Sequence, residues 1–210
     1  MRMSLRKITP FEIAFFTSLA ASVVQAKDST LPDLDSLYPE LDALYIDLHQ
    51  NPELSGQEEK TAAKMADRPR RLGYEVTTGI GGHGIVALMR NGNGPTLMLR
   101  PDMDALPVQE KTGLPFASKV TVPGQGGIQV PVMHVCGHDV HMTSLVGAAS
   151  LLAKMKDRWR GTLMLIGQPA EETGADAEAM IKDGLFTKFP KPSFAVALHD
   201  TSLLPAGTVG

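Results

Sequence analysis

The sequence predicts an α/β fold with a mixed sheet flanked by helices, on the strength of three observations. Short apolar runs typical of strands alternate with helical stretches from residue 27 onward. Gly and Pro, at 20 and 15 residues, supply the turns that many short elements need. The length of 210 residues suffices for one domain with a substantial core.

Composition excludes several classes of partner. The chain is 43% hydrophobic and 20% charged, with a net charge of −3. Neither the charge nor any block of basic residues favours binding to nucleic acid or to an anionic membrane surface. We therefore expect a small-molecule substrate and no nucleic acid.

The first 26 residues predict a signal peptide. Arg2, Arg6 and Lys7 form a positive start, an apolar stretch runs from 11 to 24, and small residues precede a cleavage point after Ala26. The apolar stretch is short for a transmembrane helix, so we expect export to the periplasm or beyond without stable membrane insertion. An N-terminus without a targeting role is the alternative, since an acidic residue interrupts the stretch.

Two helices are predicted first. Apolar residues at helical spacing cover 33–50, and the helix is expected to start near Leu37 because Pro39 fits in a first turn. The second covers about Glu58–Leu72, and Pro69 should kink or shorten it.

Three strands follow, at 74–77, 85–89 and 96–99. The cluster Asn91-Gly92-Asn93-Gly94 predicts a hairpin between the last two, so part of the sheet should be antiparallel. The Gly- and Pro-rich stretch 107–131 predicts a long irregular loop.

The second half alternates helices and strands. A helix over 139–155 is expected to be capped by Asp139. A strand at 162–166, a helix at 175–183 and a strand at 194–198 complete the pattern.

Ionisable and metal-binding side chains follow apolar, strand-like runs at four places. These are Arg100–Asp104, Cys136–Asp139, Pro169–Glu172 and Leu198–Asp200. Open α/β sheets build their sites outside the carboxyl ends of their strands, so the four segments predict one metal site assembled from separate loops.

Cys136-Gly137-His138 places a thiolate and an imidazole two residues apart, on the same side of an extended segment. With carboxylates nearby, these groups suit Zn²⁺ and neighbouring first-row ions. Alone, the pair is as compatible with chance and a buried cysteine. A Cys136 nucleophile with His138 as base is disfavoured, because the pair lacks an orienting group and an evident oxyanion hole.

The other segments add carboxylates and a second imidazole. Past a strand, Glu171 and Glu172 point apart, so one can bind metal while the other acts as general base. Asp102 and Asp104 can fix the tautomer of a ligating histidine. Taken singly, a Glu pair is commonly solvated surface, and His199 can be a strand-end histidine bonded to the main chain.

These residues resemble the M20 family of metal-dependent amidohydrolases and peptidases. The similarity is greatest to the branch of hippurate hydrolase, N-acyl-amino-acid amidohydrolases and plant auxin-conjugate hydrolases. Five segments carry it: LHQNPELSGQE (48–58), LRPDMDALPVQE (99–110), MHVCGHDVHMTSLVGAA (133–149), GQPAEETGADAEAMIKDGLF (167–186) and ALHDTSLLPAGTVG (197–210). The resemblance implies that residues 27–210 form the first half of a metallopeptidase-like catalytic domain, without the lid domain.

The resemblance also implies roles. Cys136, His138, Glu172 and His199 match metal ligands for two divalent ions (Zn, Mn, Co or Ni). Glu171 matches the catalytic base, and Asp104 matches the residue that orients a ligand. The implied reaction is hydrolysis of the amide bond of N-acyl amino acids or small peptide-like amides by metal-activated water.

The sequence departs from the family pattern at Pro101, Asp200 and Pro69, where the family more often has a small residue, an uncharged residue and an uninterrupted helix. The family's later half, with its lid or dimerisation domain and one more metal-binding histidine, has no counterpart in these 210 residues. We therefore keep the alternative of a truncated, catalytically incompetent metal-binding remnant. It predicts an exposed sheet edge, with homodimers only in a full-length form.

Overall fold

The computed structural model describes residues 34–174, 176–205 and 207–208. Residues 34–202 lie in one compact unit, and the described residues after them belong to a separate unit. The predicted signal peptide falls outside the described residues. In the part of the chain that is described, no helix is both long and apolar enough to cross a membrane.

Seven strands and five α-helices make up the described fold. The helices are α1 (Tyr38–Gln50), α2 (Glu59–Arg71), α3 (His138–Lys154), α4 (Asp176–Lys182) and α5 (Leu185–Lys188). The strands are β1 (Glu75–Ile80), β2 (Gly84–Asn91), β3 (Thr96–Leu99), β4 (Thr121–Pro123), β5 (Gln129–Pro131), β6 (Gly161–Gly167) and β7 (Phe194–Val196).

The main sheet has the order β1-β2-β6-β3-β7. Strand β2 pairs antiparallel with both β1 and β6, whereas β3 pairs parallel with β6 and β7. Strands β4 and β5 form a separate antiparallel pair within the loop predicted as irregular. The predicted mixed sheet flanked by helices is confirmed.

The predicted hairpin between β2 and β3 is wrong, because β6 lies between them. Strand β6 pairs with β2 over seven positions, from Ile85↔Gly167 to Asn91↔Gly161, which β3 is too short to match. The Asn91 amide instead donates hydrogen bonds to the carbonyls of Lys156 and Trp159. The Asn/Gly cluster thus joins the sheet to the chain that follows α3.

Both faces of the central strands are buried, which explains why their sequences are apolar without alternation. On one face, Ile85 belongs to a cluster formed with α1, α2 and α3. On the other face, Val86 and Met164 pack with Met180 of α4 and Leu185 of α5. The helices therefore cover the sheet from both sides and hold its strand ends in a fixed arrangement.

Two details of the predicted helices differ from the structure, namely the effect of Pro69 and the position of Asp139. Helix α2 continues through Pro69 and ends at Arg71, and the Leu72 N–H closes its last turn on the carbonyls of Arg68 and Pro69. A proline in the last turn removes only one helical hydrogen bond, so it need not stop the helix earlier. Helix α3 begins at His138, so Asp139 lies in its first turn and Gly137 is the N-cap, while Oδ1 of Asp139 accepts a hydrogen bond from the Val140 N–H.

Candidate metal centre

The site lies where the parallel strands β3, β6 and β7 end. The segments 100–104, 168–172 and 197–200 follow these strands, and the start of α3 brings 136–138 to the same place. Candidate ligand atoms of Cys136, His138 and His199 lie within 4.8 Å of one another. The residues predicted from separate segments of the sequence are therefore brought together.

The Cys136-Gly137-His138 segment is not extended. The expectation that an extended backbone points the Cys136 and His138 side chains to the same side is therefore wrong. Gly137 has φ of +79° and precedes the first residue of α3. A Cβ at Gly137 would overlap the carboxylate of Asp200. Glycine is required here both for its left-handed backbone and for the close approach of the 199–200 loop.

His138 is buried and presents one ring nitrogen to the site. Its Nδ1 lies 2.8 Å from the main-chain oxygen of Asp104 and 3.3 Å from the Asp104 Oδ1, so we assign the proton to Nδ1. Its Nε2 is buried and has no hydrogen-bond partner among the described residues. An imidazole held in this tautomer is ready to donate a lone pair to a cation.

His199 is oriented in the same way on the exposed side. Its Nδ1 lies 2.7 Å from the main-chain oxygen of Asp200, and its Nε2 lies 3.3 Å from the Cys136 sulfur. The ring is more than half exposed, in contrast to His138. Both histidines thus turn Nε2 toward the part of the site that holds the Cys136 thiol.

The two glutamates follow Ala170, which has φ of +43° and ψ of +43°. Oε1 of Glu172 is buried without a hydrogen-bond partner among the described residues, and the Glu172 carboxylate contacts the Cys136 thiol. Oε2 of Glu171 lies 4.0 Å from Nε2 of His138. The Glu172 carboxylate thus lies beside Cys136 and the Glu171 carboxylate near His138, but both residues belong to a 3₁₀ turn and not to an extended segment past the strand.

Asp104 supports both the histidine and the glutamate. Its Oδ2 accepts hydrogen bonds from the Ser55 hydroxyl at 2.6 Å and the Glu172 N–H at 3.0 Å. Burial alone would raise the pKa of Asp104, but hydrogen bonds from His138, Ser55 and Glu172 outweigh it and lower the pKa to about 2. Its carboxylate is therefore charged at neutral pH.

Two further groups approach the ligands. Asp102 pairs with Arg100 and also lies within 4.8 Å of candidate ligand atoms of His138 and Glu171. On the exposed side, the Asp200 Oδ1 lies 2.9 Å from Nε2 of His141. Asp200 thereby links the 199–200 loop to α3.

The environment of Cys136 disfavours its use as a nucleophile. Burial, hydrogen bonding to Glu172 and the charges of the Glu172, Glu171 and Asp200 carboxylates raise the pKa of the thiol to about 11. At neutral pH a thiol with this pKa is protonated and weakly nucleophilic. The same carboxylates favour a bound cation, which would draw the thiolate form to itself.

Several supporting residues were not recognised from the sequence. His49 is buried between Asp139, at 2.6 Å, and Glu110, at 3.1 Å. Glu58 is fully buried and contacts the main chain before the two glutamates. Both lie far from the site in sequence, and no local spacing identifies them. The one sequence feature that could have indicated them is their place in the segment 48–58, which is among the five that resemble the family.

The donor set fits a divalent metal. The site offers a thiol, two imidazoles and a carboxylate, which are ligands that Zn²⁺ and related ions bind. His138 Nε2 and Glu172 Oε1 have no hydrogen-bond partner among the described residues, whereas His199 Nε2 contacts the Cys136 sulfur. Buried polar atoms rarely remain without a partner, so His138 Nε2 and Glu172 Oε1 call for one. A bound cation would give His138 Nε2, which lies within 4.8 Å of candidate ligand atoms of Cys136 and His199, such a partner.

Comparisons with known proteins agree with a metal centre of this kind. The family model of peptidase family M20/M25/M40 matches residues 98–210. Hippurate hydrolase of Campylobacter jejuni is 47% identical over 143 residues, which is 68% of this chain and 34% of that protein. The IAA-amino acid hydrolase ILR1-like 5 of Arabidopsis thaliana is 35% identical over 160 residues, 76% of this chain and 34% of that protein.

A solved structure shows the same fold. The Bacillus subtilis YxeP protein, described as a dinuclear metal-binding peptidase of the M20 family, superposes with a TM-score of 0.71 at 35% identity. The match covers 81% of this chain and 45% of that one. The chain thus spans about a third of the length of these curated relatives and under half of the solved one. The family model covers more than half of the chain, and the chain belongs to peptidase family M20/M25/M40.

Proposed function

We propose that this protein hydrolyses the amide bond of N-acyl amino acids or small peptide-like amides with the help of two divalent metal ions. One observation carries the proposal. The buried atoms His138 Nε2 and Glu172 Oε1 lack partners among the described residues, beside the Cys136 thiol and with the Glu171 carboxylate at hand.

Four residues are proposed to hold the metal: Cys136, His138, Glu172 and His199. Their chemistry suits Zn, Mn, Co or Ni, and the description of YxeP as dinuclear supports two ions. When bound, such ions lower the pKa of water and polarise a carbonyl oxygen. Each histidine is held by a main-chain carbonyl, so its ring needs little reorientation to bind.

Glu171 is proposed as the general base. Its side chain is 41% exposed, so it can reach substrate and solvent, and its Oε2 lies near His138 Nε2. It would accept a proton from the attacking water at a carboxylate oxygen and pass that proton to the departing amine nitrogen. Asp104 would not take part in proton transfer; it orients the His138 ring through its main-chain oxygen and holds the Glu172 main chain through its carboxylate.

The substrate class rests on the relatives. Hippurate hydrolase, IAA-amino acid hydrolase and an N-acetyl-L-cysteine deacetylase of Bacillus subtilis that is 39% identical are all named for N-acyl amino acid substrates. We infer the same class for this protein. We also infer export, supported by the basic and apolar pattern of the first 26 residues.

A second candidate is a metal-binding chain without turnover of its own. Strand β7 lies at an edge of the described sheet, and its Phe194 and Val196 are 64% and 51% exposed. Exposed apolar side chains on an edge strand favour a fold that further protein would cover. Metal binding without hydrolysis would support this candidate.

The test combines metal content with turnover. Purified protein loaded with Zn²⁺ or Mn²⁺ is expected to release amino acid from N-acetyl or N-benzoyl substrates. Glu171→Gln should lower turnover by about 10²–10⁴-fold while metal stays bound, because it removes the base and no proposed ligand. Glu178→Gln, an exposed glutamate on α4 paired with Lys182, is the matched control. Unchanged turnover in Glu171→Gln contradicts the assigned base.

A further inference from the structure

Glu58 is a carboxyl group buried in the protein, with no exposed surface. It precedes α2, yet its side chain makes no capping hydrogen bond to that helix. Its Oε1 instead accepts hydrogen bonds from two main-chain N–H groups, Gly56 at 2.9 Å and Ala170 at 2.7 Å. A buried carboxylate is costly unless it is hydrogen-bonded, so its position here needs an explanation beyond the helix.

Ala170 is the residue that Glu58 holds. Among the described residues it is the one non-glycine residue with positive φ. This left-handed conformation brings a Cβ too close to the following carbonyl and costs free energy. Such a residue keeps this conformation only where its surroundings impose it, and the bond from the Ala170 N–H to Glu58 is one such constraint.

The Ala170 turn decides where the next two side chains point. Glu171 and Glu172 follow directly in a short 3₁₀ turn, and the Ala170 carbonyl accepts a hydrogen bond from the Thr173 hydroxyl at 2.9 Å. If Ala170 relaxed to negative φ, the chain would leave β6 in another direction. The two carboxylates would then be displaced together.

A neighbouring residue supports the same turn from the other side. The Ser55 hydroxyl donates a hydrogen bond to Oδ2 of Asp104, and the Glu172 N–H donates a second one to the same oxygen. The segment 55–58 therefore contributes to both supports, through Ser55 and through Glu58. The Ala170 N–H is bonded to the buried Glu58 side chain, and the Glu172 N–H is bonded to the buried Asp104 side chain.

We propose that Glu58 is a positioning residue, which fixes the strained Ala170 turn and thereby aims Glu171 and Glu172 into the metal centre. The inference rests on the function proposed above for the two glutamates. Glu58 itself touches neither metal nor substrate. Its effect is transmitted through one main-chain hydrogen bond.

The first test needs no metal and no variant. Amide hydrogen exchange in the metal-free protein should show Ala170 protected as strongly as the amides of β6, because its N–H is buried and bonded. Exchange of the Ala170 amide at the rate of an unprotected amide would overturn the proposal outright.

The second test compares two substitutions at Glu58. Glu58→Leu removes the acceptor, and we expect the affinity for Zn²⁺ to fall by about 10–100-fold, the range for loss of a supporting partner. Glu58→Gln keeps an oxygen acceptor of the same shape, so the affinity should stay within about threefold. Glu59→Gln, on the exposed neighbouring residue, is the matched control and should change nothing.

The third test separates positioning from general stability. Ala170→Gly allows the left-handed conformation without strain, so adding it to Glu58→Leu should restore at least part of the lost Zn²⁺ affinity. If Glu58 served only to stabilise the fold, a glycine at 170 would leave the affinity of Glu58→Leu unchanged or lower it further. Equal Zn²⁺ affinity of the Leu and Gln variants would also contradict the proposal.

The outcomes distinguish this inference from the function on which it rests. If unsubstituted protein binds no Zn²⁺, the proposed metal centre fails, while the exchange of the Ala170 amide still reports on the turn. If Zn²⁺ binds and Glu58→Leu leaves both the affinity and the exchange unchanged, the metal centre stands and the role of Glu58 is refuted. If Glu58→Leu does not fold, two measurements decide. They are the Zn²⁺ affinity of the Glu58→Gln protein with Ala170→Gly added, and the exchange of the Ala170 amide in the unsubstituted protein.

Discussion

The buried and exposed sides of the metal centre are held in different ways. On the buried side, His138 and Asp104 are each 1% exposed, and main-chain or buried side-chain groups fix every bond they make. On the exposed side, the side chains of His199 and Asp200 are 55% and 54% exposed. Packing therefore holds the buried side in place before a metal arrives, whereas on the exposed side the His199 ring is oriented mainly by its contact with the Asp200 main chain. Substitutions on the two sides should separate protein stability from metal affinity.

The largest effect on stability is expected from His138→Ala. It removes a proposed ligand and also leaves the buried Asp104 main-chain carbonyl without the hydrogen bond that the His138 ring donates. An unsatisfied buried acceptor costs about 1–3 kcal/mol of unfolding free energy. Urea unfolding of the metal-free variant measures this, and an unchanged midpoint would show that the buried side is not held as described.

The second largest effect is expected from acid, which should lower the unfolding free energy by protonating Asp104 on the buried side of the metal centre. The pKa of Asp104 is about 2 in the folded protein and near its ordinary value when unfolded, so its stabilising contribution is present above that ordinary value. The contribution is lost as pH falls from roughly 4 to 2, because the unfolded state takes up the proton first. Unfolding free energies measured across this range should fall less steeply for Asp104→Asn. Parallel curves for the two proteins would contradict the assignment.

His199→Ala is expected to lower metal affinity with little effect on stability. The ring is exposed, its Nδ1 contacts the exposed Asp200 and its Nε2 contacts the half-buried Cys136, so no fully buried group is left unpaired. The unfolding free energy of the metal-free protein should stay within about 0.5 kcal/mol. Titration with Zn²⁺ measures the affinity, and retention of full affinity would remove His199 from the ligand set.

The smallest effect is expected from Asp200→Asn. The amide keeps an oxygen near His141 Nε2 and loses only a half-exposed charge, which contributes little in water. We expect a decrease in Zn²⁺ affinity of at most about tenfold. A larger decrease would show that Asp200 binds the metal itself, since it lies within 4.8 Å of candidate ligand atoms of His141 and His199.

Sequence reasoning was successful where chemistry and strand position coincide. Three of the four segments of ionisable residues meet at one edge of the sheet because β3, β6 and β7 run parallel. The fourth, Cys136–Asp139, follows no strand of this sheet and is brought there by the start of α3. Ligand types are visible in sequence because Cys, His and Glu have few other reasons to recur at strand ends. The assignments of Cys136, Glu171 and the other site residues stay predictions until the variants are measured.

Sequence reasoning failed where the outcome depends on distant partners. The hairpin was wrongly predicted because Asn91-Gly92 satisfies a local rule, while the pairing of β2 with β6 depends on residues 70 or more positions away. The role of Glu58 was not visible for the same reason, since its partner Ala170 lies 112 residues further along. Neither local propensity nor spacing records a hydrogen bond of that range.

The central position of β6 also governs the order in which this protein can fold. During synthesis, β1 and β2 emerge first and can form their hairpin, but the apolar residues of β2 have no neighbour on the other side until residues 161–167 leave the ribosome. Long-range pairings of this kind close slowly, because a large loop must be ordered before any contact forms. The nascent chain therefore carries an unpaired apolar edge until residues 161–167 have been made, and a chaperone that binds extended apolar segments has its target at β2.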